Sequence, residues 1–331
     1  MSNSAILDSL LNGNDLDEQQ AYDLMQQFAD GDLDPAFAGA LLAGLRAKGE
    51  TAAEIRGFAR AMRELAVHPE IPAGTPTVDT VGTGGDGSGS LNLSTGTGLL
   101  AAACGARVVK HGNRSVSSKS GSADMLECLG MPLPLHAEEA VDCLQATSFT
   151  FLFAPAYHPA MKSVVPVRGA MGVRTVFNIL GPLTNPAATP YQLIGAFSLD
   201  MAELMAEALA GLEIERALVV HGEPGWDEAT PAGEFWLYDV RPGSVTAAKR
   251  SPEDYGLVRC APEDLAGGDA EHNANELARV FTGEDKGAHR DALLMGTSLV
   301  LECMGVAADP QDGVAQAAAA IDDGRAATLL E

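Results

Sequence analysis

Positive charge is scarce in this chain. Of 331 residues, 21 are Lys or Arg and 45 are Asp or Glu, a net of −24. So large an acidic excess excludes broad electrostatic attachment to nucleic acid or to an anionic membrane, though not capture of one small phosphorylated ligand. Cysteine is sparse too: Cys104, Cys128, Cys143, Cys260 and Cys303 are odd in number and nowhere spaced as CxxC. That excludes a disulfide frame and a zinc ribbon, and it fits reduced packing residues in a cytoplasmic protein. No apolar run reaches the roughly 20 residues of a membrane span. The acidic opening stretch lacks the basic-then-apolar pattern of a signal peptide. Internal repeats, low-complexity tracts and long charge runs are absent as well.

Two windows lack acids altogether. Gly87–Ser122 holds none, where even spreading predicts about five, yet it keeps Arg107, Lys110, Arg114 and Lys119. Cys143–Leu199 holds none across 57 residues, where about eight are expected, and it keeps Lys162, Arg168 and Arg174. Part of the second deficit is burial, since much of that window is apolar. An acidic protein that clears a loop of acids and supplies bases offers a place for an anion. Arg in particular suits a substrate carboxylate, because its planar fork meets two oxygens.

The first window adjoins a strand–loop–helix pattern. Thr77–Val81 reads as a buried strand, and Gly82-Thr83-Gly84-Gly85-Asp86-Gly87 then presents bare backbone amides to an anion. Ser94 or Thr95 is expected to cap the helix that runs to Cys104, with Gly105 as its stop. Arg107–Lys110 reads as a second strand that delivers His111-Gly112-Asn113-Arg114-Ser115 into a loop. There His111 is read as a packing or hydrogen-bonding residue.

Upstream, residues 15–66 read as three helices. The first buries Leu24, Met25 and Phe28 and stops at Gly31; the second starts at Asp34-Pro35 and ends before Gly49. The third opens on a capping box, Thr51 to Glu54, and Ile71–Pro76 is the linker out. Downstream, apolar runs at Thr150–Phe153, Gln192–Phe197 and Arg216–His221 alternate with helical stretches. That order implies an α/β domain with parallel strands and ligands at their carboxyl ends. Glu234–Val240 reads as an edge strand, and helices are expected over Ala270–Phe281, Asp291–Met304 and Gly313–Asp322. Asp227 and Glu228 sit in a Gly- and Pro-containing loop, adjacent carboxylates able to hold Mg²⁺ beside a phosphate. Gly82, Gly84 and Gly87 also satisfy GxGxxG, but a dinucleotide site wants an acid about 20 residues on. Ala106–Lys110 offers none.

Taken together, GTGGD (82–86), NLST (92–95), KHGNRSVSSKSGSAD (110–124), PVRGAMG around Arg168, NILGPLTNP (178–186) and WDE (226–228) resemble one family. It is that of the anthranilate phosphoribosyltransferases of tryptophan biosynthesis, and the resemblance covers nearly the whole chain. It implies a small all-helical domain (1–70, joined by a segment around 160–182) and a large α/β domain (77–331). The α/β domain would have a mainly parallel central sheet flanked by helices. It implies that Gly82, Gly84, Gly85, Asp86, Asn92, Ser94, Thr95, Lys110 and Ser122 bind phosphoribosyl pyrophosphate (PRPP). Gly82, Asn113, Arg168, Gly181 and Pro182 would receive anthranilate, and Ser94, Asp227 and Glu228 would coordinate Mg²⁺. A homodimer joined through the helical domain is implied as well. The chain departs from the family pattern in Arg290–Thr297, where an Asn is expected close to Met295.

The reaction so implied displaces pyrophosphate from the ribose anomeric carbon by an aromatic amine. That amine is neutral near pH 7, so no acid or base is assigned; positioning and stabilisation of the leaving polyanion carry the rate. Two other readings are a nucleoside phosphorylase-like enzyme, whose relatives carry a different glycine loop, and a non-catalytic nucleic-acid-binding relative. The net charge and the WDE run argue against the latter.

Overall fold

The computed structural model describes residues 3–115 and 119–331. Val116, Ser117 and Ser118, in the middle of the KHGNRSVSSKSGSAD run, lie outside the described residues. Four helices come first: α1 (Asn3–Leu11), α2 (Glu18–Asp30), α3 (Pro35–Lys48) and α4 (Ala52–Glu64). Local chemistry sets their ends. Asp17 and Gln20 form a capping box on α2, which stops at Gly31 in the left-handed region (φ 74°). Asp34 accepts from the Ala36 and Phe37 amides ahead of Pro35, and Thr51 pairs with Glu54 at α4. Helices α2 and α4 press together at Gly57, where a Cβ would lie 2.2 Å from the Glu18 carbonyl. Helix α1 was not expected; burial of Ile6 and Leu10 holds it against the bundle.

Next come β1 (Thr77–Gly82), α5 (Leu93–Ala103), β2 (Arg107–Gly112), α6 (Ser122–Cys128), α7 (Ala137–Thr147) and β3 (Phe149–Phe153). Three short helices, α8 (Ala154–Tyr157), α9 (Val165–Met171) and α10 (Phe177–Leu180), lead to β4 (Tyr191–Gly195), α11 (Leu199–Ala210) and β5 (Arg216–Gly222). The chain then forms β6 (Phe235–Arg241), β7 (Ser244–Arg250), α12 (Ala270–Phe281), α13 (Ala288–Cys303), α14 (Pro310–Asp322) and α15 (Arg325–Leu329). The sheet order is β3-β2-β1-β4-β5-β6-β7, parallel through β5 and antiparallel thereafter. A mainly parallel α/β sheet with a helical N-terminal bundle is thus the fold.

Alternate residues of each central strand face opposite cores. Leu193 and Leu218 join α5, α12, α13 and α14 on one face; Ile194 and Val219 join α11, α2 and α4 on the other. The second core also takes in Val164, Val167, Phe177, Leu180 and Leu183 from the segment between β3 and β4.

Three local expectations are corrected. The Glu234–Val240 run is not at the edge: β7 pairs outside it, from Arg241↔Ser244 to Phe235↔Arg250. Strand β7 reads SVTAAKR and is exposed along six of its seven residues, so it has no apolar alternation to betray it. His111 is not in a loop; β2 extends to Gly112, and the ring is buried. Finally, the cap position of α5 is Asn92 rather than Ser94 or Thr95. At the other end of the chain, Met295 is fully buried in α13, and Gly296 is small because a Cβ there would lie 2.4 Å from the Thr97 hydroxyl.

Candidate active site

Strand order places the site. In an open sheet of this winding, ligands bind beyond the carboxyl ends of the strands, where the order reverses direction. Here that crevice lies between β1 and β4, with Gly82 paired to Gly195 at its mouth. The loop carrying Trp226-Asp227-Glu228 is laid directly over it. A Cβ on Gly82 would lie 2.5 Å from an Asp227 carboxylate oxygen, one on Gly195 1.5 Å from the Asp227 carbonyl, and one on Gly222 2.1 Å from the Glu228 carbonyl. Three strand-end glycines therefore make room for the two acids.

The glycine loop and Asp227 are joined. The Gly84 amide donates to Asp227 Oδ2 at 2.6 Å, and the Asp227 amide donates to Asp86 Oδ2 at 3.3 Å. Burial, reinforced by Asp86, holds the Asp227 carboxyl above the usual carboxylate range. Part of Glu228 stays accessible, yet its carboxyl is pushed well above the usual range, first by burial of the carboxylate and next by Asp227. Two acids raised together mark a place short of positive charge.

Lys110 supplies part of that charge from below. It projects from the middle of β2, is 1% exposed, and donates to the Thr80 carbonyl and to Ser94 Oγ at 3.2 Å. Burial lowers its affinity for the proton, while Asp79, Glu228 and Asp227 act in the opposite direction. Asp79, in β1, accepts from the His111 amide at 3.2 Å and from Asn185 Nδ2 at 2.8 Å; burial pushes its carboxyl up to about 6. Around the start of α5, Thr95 Oγ1 donates to Ser122 Oγ at 3.0 Å. Asn92 donates to the Ser120 carbonyl at 3.1 Å and accepts from Asn273 Nδ2 at 2.8 Å. Its side chain is thus engaged elsewhere and makes no cap hydrogen bond to α5.

The structure brings Gly82, Gly84, Gly85, Asp86, Asn92, Ser94, Thr95, Lys110, Ser122, Asp227 and Glu228 into this one region. Asn113 follows β2, and its carbonyl accepts from the Ala123 amide of α6 at 3.3 Å. Gly181 and Pro182 form a tight turn after α10, and the Gly181 carbonyl lies 3.2 Å from His111 Nδ1. Arg168 stands apart. It lies over the Phe177 ring at 5.3 Å, and among the described residues it has no ion pair or side-chain hydrogen bond. Burial alone lowers its pKa. Arg114, by contrast, is taken by Glu127 and Asp124 of α6, at 2.5 and 3.0 Å.

Sequence reasoning missed several residues here. Asp79 had a signal, a lone charge within a β-branched run. His158 meets His111 with ring centroids 5.1 Å apart, and Asn273 reaches Asn92 across 181 residues of chain. Neither carries a local signal.

Comparison with known proteins agrees with the geometry. Residues 74–327 match the model of the glycosyl transferase family α/β domain, and residues 4–66 match its helical bundle domain. The anthranilate phosphoribosyltransferase of Rubrobacter xylanophilus is 44% identical over 319 residues, covering 96% of this chain and 93% of the relative. That of Desulforudis audaxviator is 46% identical over 325 residues, covering 98% and 93%. The crystal structure of the Thermus thermophilus enzyme, 43% identical, superposes with a TM-score of 0.91 over 98% of this chain and 97% of the other. The Saccharomyces cerevisiae enzyme in complex with PRPP and Mg, at 24% identity and a TM-score of 0.89, shares the fold over 99% and 95%. With a strand-end glycine loop, a buried lysine and the paired acids all in place, this chain belongs to the anthranilate phosphoribosyltransferase family.

Proposed function

We propose that this chain transfers the phosphoribosyl group of PRPP to the amine of anthranilate, releasing pyrophosphate, as a step of tryptophan biosynthesis. The observation that carries the reading is Asp227, seated over the β1–β4 crevice with its carboxylate on the Gly84 amide. Asp227, Glu228 and Ser94 offer the carboxylate and hydroxyl oxygens that suit Mg²⁺, and the two raised acids need a cation beside them. When bound, such an ion neutralises charge on the departing pyrophosphate. The remaining work falls to the chain. Amides of residues 82–87, with Asn92, Thr95 and Ser122 around the start of α5, receive the phosphates. Lys110, buried beneath them, acts through Ser94 and through its charge. Arg168 takes the anthranilate carboxylate, while Asn113 and the Gly181–Pro182 turn hold the ring. Attack by the neutral amine then requires only that it be held in line with the leaving group.

The helical bundle (1–70) and the segment around 160–182 would form one domain beside the α/β domain (77–331); Val164, Val167 and Phe177 enter the bundle's core, which continues to α11 and the sheet. We further propose a cytoplasmic homodimer; Leu11, 69% exposed at the end of α1, supports an apolar contact there. Among the described residues, no helix is long and apolar enough to cross a membrane. The test of the activity is anthranilate fluorescence. It should fall only when PRPP and Mg²⁺ are both present, with one pyrophosphate released per anthranilate lost; no loss with both present contradicts the reading.

A further inference from the structure

We propose that Arg174 is a positioning residue for the phosphate-binding loop, acting through Gly85, and that Arg46 anchors it. The inference rests on the function proposed above. Arg174 Nη2 donates to the Gly85 carbonyl at 2.6 Å, and the guanidinium lies over the Phe197 ring at 4.3 Å. Its own carbonyl accepts from Arg46 Nη1, on α3 of the helical bundle, at 2.5 Å. Among the described residues neither arginine has a carboxylate partner in an ion pair. Glycine is required where they meet: Gly85 has φ 74°, and a Cβ there would lie 2.2 Å from Arg174 Nη2.

The loop is consequently gripped from two sides. Asp227 holds the Gly84 amide, and Arg174 holds the carbonyl of the next residue. A trans peptide is planar, with C=O and N–H on opposite sides. Fixing the Gly85 carbonyl towards Arg174 therefore aims the Asp86 amide the other way. A run rich in glycine has wide backbone freedom, and a loop ordered before the ligand arrives loses less on binding. Because the chain of contacts begins on α3, the helical bundle is linked mechanically to the loop of the α/β domain.

The test combines calorimetric binding of PRPP with Mg²⁺ and steady-state kinetics in which each substrate is varied separately, on the full chain. Arg174→Gln should weaken PRPP about tenfold or more while leaving the anthranilate KM within about twofold. Arg174→Lys should recover part of the loss, since an ammonium reaches a carbonyl but does not stack as a plane. Arg46→Gln should act in the same direction, less strongly. Unchanged PRPP affinity, equal rises in both KM values, or a fall in melting temperature that accounts for the loss would each overturn the proposal. Should Arg174→Gln not fold, Phe197→Leu removes the ring beneath the guanidinium and must weaken PRPP selectively; no effect there overturns it equally. Calorimetry reads PRPP alone, so a wild-type chain that binds it yet leaves anthranilate unconsumed ends the proposed activity without touching this test. A wild-type chain that does not bind PRPP overturns both.

Discussion

The two acid-free windows look alike in composition and behave differently in space. Two bases of the first are met by acids from outside it: Arg114 by Asp124 and Glu127, and Lys110 by the surroundings of Asp79, Asp227 and Glu228. The arginines of the second have no carboxylate in an ion pair among the described residues; Arg168 and Arg174 rest instead on Phe177 and Phe197. Of these two, Arg168 makes no side-chain hydrogen bond among the described residues and keeps its charge open to a ligand, whereas Arg174 is spent on the Gly85 carbonyl. Arg114, neutralised by two acids, is closed to one. The windows touch where His111 of the first meets His158 of the second, both buried and both held neutral. Scarcity of acids along the chain therefore marks a region, and only the fold decides which base within it stays open.

The sharpest way to break this contrast is to remove the acids that answer the first window. Asp227→Asn with Glu228→Gln should lower turnover about a thousandfold at fixed Mg²⁺, on the several kcal/mol a metal contributes to leaving-group charge. Circular dichroism should report an intact fold, because the pair lies in a loop. Full activity in this variant would mean that Lys110 needs no acidic partners above it.

A pH series probes where the windows join. Burial lowers His158 to about 4, from an ordinary value near 6.5. The stability its neutral ring contributes is complete above the unfolded value and is lost as pH falls towards the folded one. Relative to His158→Gln, the wild type should thus lose about 3 kcal/mol between pH 7 and pH 4, read by chemical denaturation. A constant difference across that range would mean that the ring already meets water. The smallest effect is expected at Arg114→Gln, which should leave both KM values within about twofold, since exposed ion pairs contribute little. A tenfold rise in the PRPP KM would make Arg114 a ligand contact and erase the distinction between the windows.

How much was legible in the sequence follows from how far each signal travels. The capping box at Thr51, the Asp34-Pro35 start and the Gly31 stop act within a turn, and each held; the equally local box at Asp17 was passed over. The strand–glycine–helix core of the site was legible for the same reason, as was the parallel order of strands. Strand β7 was not, because an exposed polar ribbon forms only where β6 offers its edge. The Ser94 and Thr95 hydroxyls looked like caps, but Lys110 and Ser122 claim them from 16 and 27 residues away. Arg46 with Arg174, 128 residues apart, had no local trace at all.

The central claim is that the loop beside the first window takes phosphate while an open arginine of the second takes the carboxylate. The direct measurement compares anthranilate with aniline, which lacks the carboxylate, in the wild type and in Arg168→Ala. A charge-assisted bidentate contact is worth on the order of 1.5–3 kcal/mol, so the substitution should cut the preference for anthranilate, measured as kcat/KM, by ten- to a hundredfold. The PRPP KM should stay nearly unchanged, and Arg168→Lys should restore only part of the preference. A variant that still prefers anthranilate as strongly as the wild type, or that loses PRPP affinity in equal measure, would contradict the account.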